Sequence, residues 1–296
     1  MRKFLFALLT MFAVSASAET VVKIIWPFSV AGADTAMIRH IVEHANSAQS
    51  KYQFVYENRP GAGGSIAAMA VHDSKTLTIL GTTSSFYVRP NLYQESHNAR
   101  DFTMIGEFCS KQPLAIYSKK YSNVNDIVGK NISIGLNPGS ITQLISRTVQ
   151  KNNNITMLEV AYKGTPEAST DMLAGHLDAS VDFLGPIALG RMTPDVKIVG
   201  ITGERNIPGF VTFKSQNIVG LESIVLTDYF FVKSTVDEAI KRELSSILNA
   251  ANQDNVKKIC TDNFGVSEKI SYDSAQKLHQ ANITKWEYLT KGMERQ

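Results

Sequence analysis

Two spacings of apolar residues alternate along this chain: a short β-branched run, then positions three and four apart, and the pair recurs. VVKIIWPF reads as a strand that stops at Pro27, and AGADTAMIRHIVEHANS then places Ala36, Ile38, Ile41, Val42 and Ala45 on one helical face. YQFVYENRPGAGGSIAAMAV repeats the unit, with a strand over Gln53–Glu57, a loop holding Pro60 and three glycines, and an Ala-rich helix. TLTILGTTSS is a third strand and closes in hydroxyls. This alternation predicts parallel strands joined by crossover helices.

Near Phe102–Ser118 the pattern changes to two strand-like runs, MIGEFC and PLAIYS, around Pro113, and a crossing between domains is expected there. NISIGLNPGSITQLISRTVQ and ITMLEVAYKGTPEASTDMLAGHLDASVDFLG are two further strand, loop and helix units, and VKIVGITGER supplies another buried strand. Residues 234–251 and 274–288 have the spacing of amphipathic helices. The fold class predicted is α/β with two lobes. Residues 19–118 and 221–296 would form the first lobe and 119–220 the second, with a cleft between them. Ligands of such sheets sit beyond the carboxyl ends of the strands, where the strand-to-helix loops lie.

The first eighteen residues, MRKFLFALLTMFAVSASA, have a basic start, an apolar stretch over Phe4–Val14 and small residues at Ala16 and Ala18. They read as a cleaved secretory signal, and the mature protein is expected in the periplasm as a free monomer. At 44% apolar and 19% charged the chain is globular in composition. Net charge is +3, and removal of Arg2 and Lys3 leaves about +1, which gives no support to nucleic-acid binding. Cys109 and Cys260 are the only cysteines; spacing alone leaves open whether they form a bridge or two buried thiols. No metal spacing and no cofactor motif is present.

The loops hold donors rather than catalysts. In ENRPGAGGS, Gly61, Gly63 and Gly64 permit close backbone approach, and the helix that follows offers free N–H groups to an anion. No lysine stands where a phosphate loop needs one. WPFSVAGADT is a second such loop, in which Asp34 or Thr35 is placed to cap a helix or meet a ligand. Thr82, Thr83, Ser84 and Ser85 offer hydroxyls, Ser140 in NPGSITQ is a cap or anion donor, and Tyr162, Lys163 and Gly164 precede another helix. Asp182 follows a strand and suits either a ligand hydroxyl or amine, or the hinge. No serine elbow, no HExxH and no cysteine beside a base occurs, so binding is expected rather than turnover.

In their order, WPFSVAGADTAMIR, VYENRPGAGGSIAA, LGTTSSFYVRPNLY, NPGSITQL and VAYKGTPEASTDMLAGHLDASVD resemble the Bug family, the TctC-like solute-binding proteins of tripartite tricarboxylate transporters. The match runs over residues 22–210. The resemblance implies a type II periplasmic binding-protein fold that closes on a small organic acid, with membrane transporter subunits as partners. The alternative function is that of a periplasmic sensor component signalling to a histidine kinase, and a remote alternative is that the chain is itself a secreted hydrolase-like enzyme. Carried over position by position, it implies ligand contacts at Phe28, Ser29, Ala62, Gly63, Thr82 and Ser84 in the first lobe. In the second it implies Ser140, Tyr162, Gly164 and Asp182. The chain departs from the family at Ala31, at Thr35 where an Asp is usual with Asp34 beside it, at Gln143 and Ala161, and after Arg205.

Overall fold

The β-branched runs become strands, and the helical spacings become their crossovers. A computed structural model describes residues 19–151, 153–293 and 295; the expected signal segment lies outside these residues. Strand β1 (Thr20–Trp26) leads to α1 (Ala33–Ala48), whose Met37, Ile38, Ile41 and Ala45 are buried on the face that the sequence pattern marks. Then come β2 (Tyr52–Asn58), α2 (Ser65–His72), β3 (Thr78–Thr83) and α3 (Ser85–Leu92). β4 (Phe102–Gln112) ends the first passage through this lobe.

The second lobe runs through β5 (Leu114–Ser118), β6 (Asn131–Leu136), α4 (Ile141–Gln150), β7 (Thr156–Ala161), α5 (Thr165–Leu173), β8 (Ala179–Phe183), α6 (Pro186–Leu189) and β9 (Lys197–Ile201). The chain then returns as β10 (Leu226–Lys233), followed by α7 (Glu238–Ala251), α8 (Asp254–Asp262) and α9 (Tyr272–Leu289). The helix α8 lies between the two C-terminal helices that periodicity marks.

Two five-stranded sheets result, in the orders β2-β1-β3-β10-β4 and β7-β6-β8-β5-β9. In each, four strands run in one direction, and the strand that enters the lobe just after a crossing, β10 or β5, is antiparallel to both neighbours. β5 departs from the boundary that the sequence suggests. Expected in the first lobe, within residues 19–118, it is hydrogen-bonded in the second sheet, and the crossing lies at Pro113. Proline has no N–H with which to continue the β4 ladder. The next amide, Leu114 N–H, donates to Thr202 Oγ1 at 3.0 Å, which ties the outgoing crossing to the segment after β9.

The helices α7, α8 and α9 pack against β4 of the first sheet. Ile24, Met37, Ile41, Phe108 and Phe230 form a core between α1, the C-terminal helices and that sheet. The pair of cysteines left open above is a disulfide: Cys109 in β4 is bonded to Cys260 in α8, both fully buried.

Candidate functional site

The two lobes meet over a cavity of about 40 Å³ between the carboxyl end of β1, the start of α3 and the N-termini of α1, α4 and α5. Each wall is held by local hydrogen bonding. After β1 the chain turns sharply, because Ser29 C=O accepts from both Gly32 N–H (3.2 Å) and the Thr35 hydroxyl (3.0 Å). Asn58 donates to the carbonyls of Trp26 (3.0 Å) and Phe28 (2.7 Å), which fixes this turn to β2.

In the second lobe α4 caps itself. Ser140 Oγ accepts from Thr142 N–H at 3.1 Å, Thr142 Oγ1 accepts from Asn137 N–H at 3.0 Å, and Gln143 Oε1 accepts from Gly139 N–H at 2.7 Å. The sequence departure at Gln143 therefore stiffens the loop. Helix α5 is different. Its N-cap is Gly164, with no side-chain acceptor, so its first turn keeps donors for an incoming anion.

Hydrogen bonds bridge the lobes around this cavity. Ser29 Oγ donates to Glu167 at 3.0 Å, Ile141 N–H to Ser85 Oγ at 3.1 Å, Arg89 Nη1 to the Pro138 carbonyl at 3.1 Å, and the Tyr93 hydroxyl to Gln143 at 3.1 Å. Each needs the facing lobe in contact, so the conformation is a closed one.

Of the residues that the resemblance singles out, Phe28, Ser29, Ser140 and Gly164 line the cavity. Gly63 lies at the closure contact, where a Cβ would stand 2.5 Å from the Pro138 carbonyl oxygen, and Ala62 beside it is exposed. Thr82 and Ser84 face elsewhere. Thr82 points to a small pocket under the glycine loop. The Ser84 hydroxyl accepts from Thr227 N–H at 3.0 Å and lines a separate, larger cavity at the crossing. Their neighbours Thr83 and Ser85 line the cavity between the lobes instead: Thr83 because successive strand residues point to opposite sides, and Ser85 from the first turn of α3.

Tyr162 turns its hydroxyl to Asp171 at 2.5 Å, and partial burial together with that carboxylate pushes the phenol up to about 12. Asp182 is fully buried and its acceptors are used inside the lobe. It takes Thr165 Oγ1 (2.6 Å), Ser169 Oγ (3.1 Å), Phe183 N–H (2.8 Å) and Arg191 Nη2 (2.6 Å). It braces the base of α5 and Arg191 rather than reaching the cavity.

Residues that the sequence did not single out for contact complete the lining, among them Trp26, Asn137, Thr142 and Thr165. Asp34, read from sequence as a cap or a ligand contact, lines the cavity at 3% exposure from the first turn of α1, and its Oδ1 has no hydrogen-bond partner. Burial, with Asp182 adding repulsion, pushes its carboxyl up to about 8. Asp228 is raised well above the usual carboxyl range by burial and by Asp34, and Glu107 is pushed up to about 7 by burial and by Glu268.

Acids raised in the fold bind more protons folded than unfolded, so their contribution falls as pH rises from the ordinary carboxyl range towards the raised values. Acids lowered in the fold, such as Asp126, Asp171, Asp178 and Asp195, act only below that range. His97 and His279, lowered by burial, oppose the trend only below their ordinary value of 6.5. Going from pH 8 to pH 6.5 is therefore expected to add about 2 kcal/mol of stability, chiefly through Asp34 and Glu107. Melting midpoints at the two pH values check this, and a lower midpoint at pH 6.5 would contradict it.

A family model described as the tripartite tricarboxylate transporter family receptor matches residues 38–294. The chain is 26% identical over 246 residues to the UPF0065 protein in the tcbD-tcbE intergenic region of Pseudomonas sp. (strain P51), over 76% of this chain and 71% of that protein. Among solved structures, the fold is similar to that of the periplasmic binding protein BugD, with 21% identity, a TM-score of 0.83, and coverage of 94% of this chain and 99% of that one. It is also similar to MatC from Rhodopseudomonas palustris with bound malate, at 18% identity and a TM-score of 0.77, over 93% of this chain and 100% of that one.

Proposed function

Because the chain belongs to the tripartite tricarboxylate transporter family of receptors, we propose that it is a periplasmic solute-binding protein, not an enzyme, that captures a small organic acid between its lobes. In this reading it presents the closed form to the membrane subunits of a tripartite-type transporter. The observation that carries the reading is the closed cleft itself. Two α/β lobes shut over a cavity that the uncapped N-terminus of α5 and hydroxyls from both lobes surround.

A carboxylate suits such a place because backbone N–H groups and the partial positive charge at a helix start stabilise it without a neighbouring cation. Ser85, whose hydroxyl accepts from Ile141 N–H and so has its own hydrogen to give, and the backbone N–H groups at the start of α5 are the contacts we assign to it. Ser29, Ser140 and Thr165, whose hydroxyls donate to Glu167, Asn137 and Asp182, shape the walls with Phe28 and Gly164. The lobes move about Pro113 and the return segment before β10. A ligand that touches both lobes only when they are shut shifts the open and closed populations by its differential affinity.

Small-angle scattering and thermal shift on the mature protein test this against mono-, di- and tricarboxylates and amino acids. A member of the panel is expected to raise the melting midpoint and to reduce the radius of gyration or hold it at the compact value. Saturating additions that change neither, on protein refolded from denaturant to remove carried-over ligand, would overturn the reading.

A further inference from the structure

The cavity between the lobes holds an unpaired buried acid. Asp34 Oδ1 has no partner, and Asp34 is the one ionisable residue among the described residues that line the cavity. A fully buried donor stands in the same lining: Trp26 has 0% exposure, and its indole N–H is likewise without a partner. Buried polar groups are ordinarily hydrogen-bonded, so an orphan acceptor and an orphan donor around one cavity describe the complement of a ligand. That ligand must both donate and accept.

The charge balance narrows it further. Asp182, bonded to Arg191 and Thr165, stands near enough to Asp34 to repel it, and Asp228, which accepts from Gln112 at 2.7 Å, repels it from the first sheet. A second ligand carboxylate placed there would stand beside Asp182 and compel Asp34 to stay protonated, in a poorly solvated site. A hydroxyl would meet the open oxygen only through a neutral hydrogen bond and leave the carboxyl in the protonated form that burial favours. A protonated amine supplies both a donor and a countercharge against which Asp34 ionises, as a charge-assisted hydrogen bond.

We propose that the ligand of this cleft is an amino acid, its protonated amine held by Asp34 while its carboxylate takes the Trp26 indole N–H and the start of α5. This rests on the solute-binding reading above and names the ligand class for it. Asp34 then acts as the residue that separates amino acids from amine-free organic acids of the same shape. The small closed volume favours compact ligands, since about 40 Å³ has room for roughly three waters.

The test is isothermal titration of the mature protein with matched sets: alanine, lactate and propionate, and aspartate, malate and succinate. In at least one set the amine-bearing member is expected to bind at least tenfold tighter than both analogues, and Asp34→Asn, which keeps the size of the side chain, is expected to remove that preference. If hydroxyl or amine-free members bind as tightly as the amine in the wild type, this inference fails while the solute-binding reading stands. An amine preference that survives in Asp34→Asn also overturns the role of Asp34. Absence of binding by every member overturns this inference, while the solute-binding reading is decided by the wider panel of carboxylates. The wild-type comparison decides the question even should the variant fold poorly.

Discussion

Gly63→Ala is expected to weaken ligand binding by on the order of 10- to 100-fold and to leave the protein more extended in solution. Gly63 has φ of +58° in the glycine loop, and a Cβ there would lie 2.5 Å from the Pro138 carbonyl oxygen on the facing lobe, with Arg89 Nη1 at 3.3 Å. The obstacle is backbone, so it has no rotamer by which to yield. Relief comes from parting the lobes, which breaks the Arg89 to Pro138 hydrogen bond and draws Ser85 away from Ile141.

Overpacking of this kind costs about 1–3 kcal/mol, and because it acts only in the closed state it appears directly in the apparent affinity. The left-handed backbone itself is strained by alanine in both states. Gly209→Ala serves as the control for that effect, with φ of +87° and open space around it, and should lower stability without changing affinity. Titration and small-angle scattering on the two variants check the prediction. Equal affinity in Gly63→Ala and wild type would mean that the glycine loop does not limit closure.

Removing the disulfide has the largest expected effect on stability. Cys109 and Cys260 are separated by 151 positions, and both side chains are fully buried between β4 and α8. Closing a loop of that length in the unfolded chain corresponds to about 5 kcal/mol in the chain-entropy model, and measured losses for native bridges run about 2–5 kcal/mol. The surroundings allow little relaxation, since a Cβ on Gly265 would stand within 2.6 Å of one sulfur and 2.7 Å of the other.

Cys109→Ala with Cys260→Ala is therefore expected to lose about 4 kcal/mol and to lower Tm by roughly 8–16 °C. Ligand affinity should change far less, because neither cysteine lines the cavity. Calorimetry with and without reductant on the wild type, beside the double variant, checks this. A loss below about 1 kcal/mol would mean that α8 is held to the sheet by packing alone.

Much of the architecture is local in origin and so was legible. Strand, loop and helix units follow from spacing within ten to twenty residues, and α1 buries Met37, Ile38 and Ile41 on the face that the pattern marks. The loops at Trp26–Thr35, Asn137–Gln143 and Tyr162–Pro166 were readable as donors at helix starts because Gly, Ser and Pro constrain the backbone wherever they occur. The family resemblance was legible in the same loops.

What the chain did not reveal depends on partners distant in sequence. Whether β5 belongs with the strands before or after it is decided by its ladders to β8 and β9, not by its own residues. Thr82 and Thr83, or Ser84 and Ser85, are alike in chemistry, and only the direction in which each points, set by the end of β3 and the start of α3, sends the second of each pair to the cleft.

Asp182 and Asp34 show the same division most clearly. Both are buried carboxyls near a helix start; one is enclosed by Thr165, Ser169 and Arg191, and the other lines the cavity and keeps one oxygen without a partner. The sequence by itself determined the elements, the loops that carry donors and the family. Tertiary structure alone decided which donors converge, which acid is satisfied and that Cys109 meets Cys260, because hydrogen bonding and burial are properties of neighbours in space.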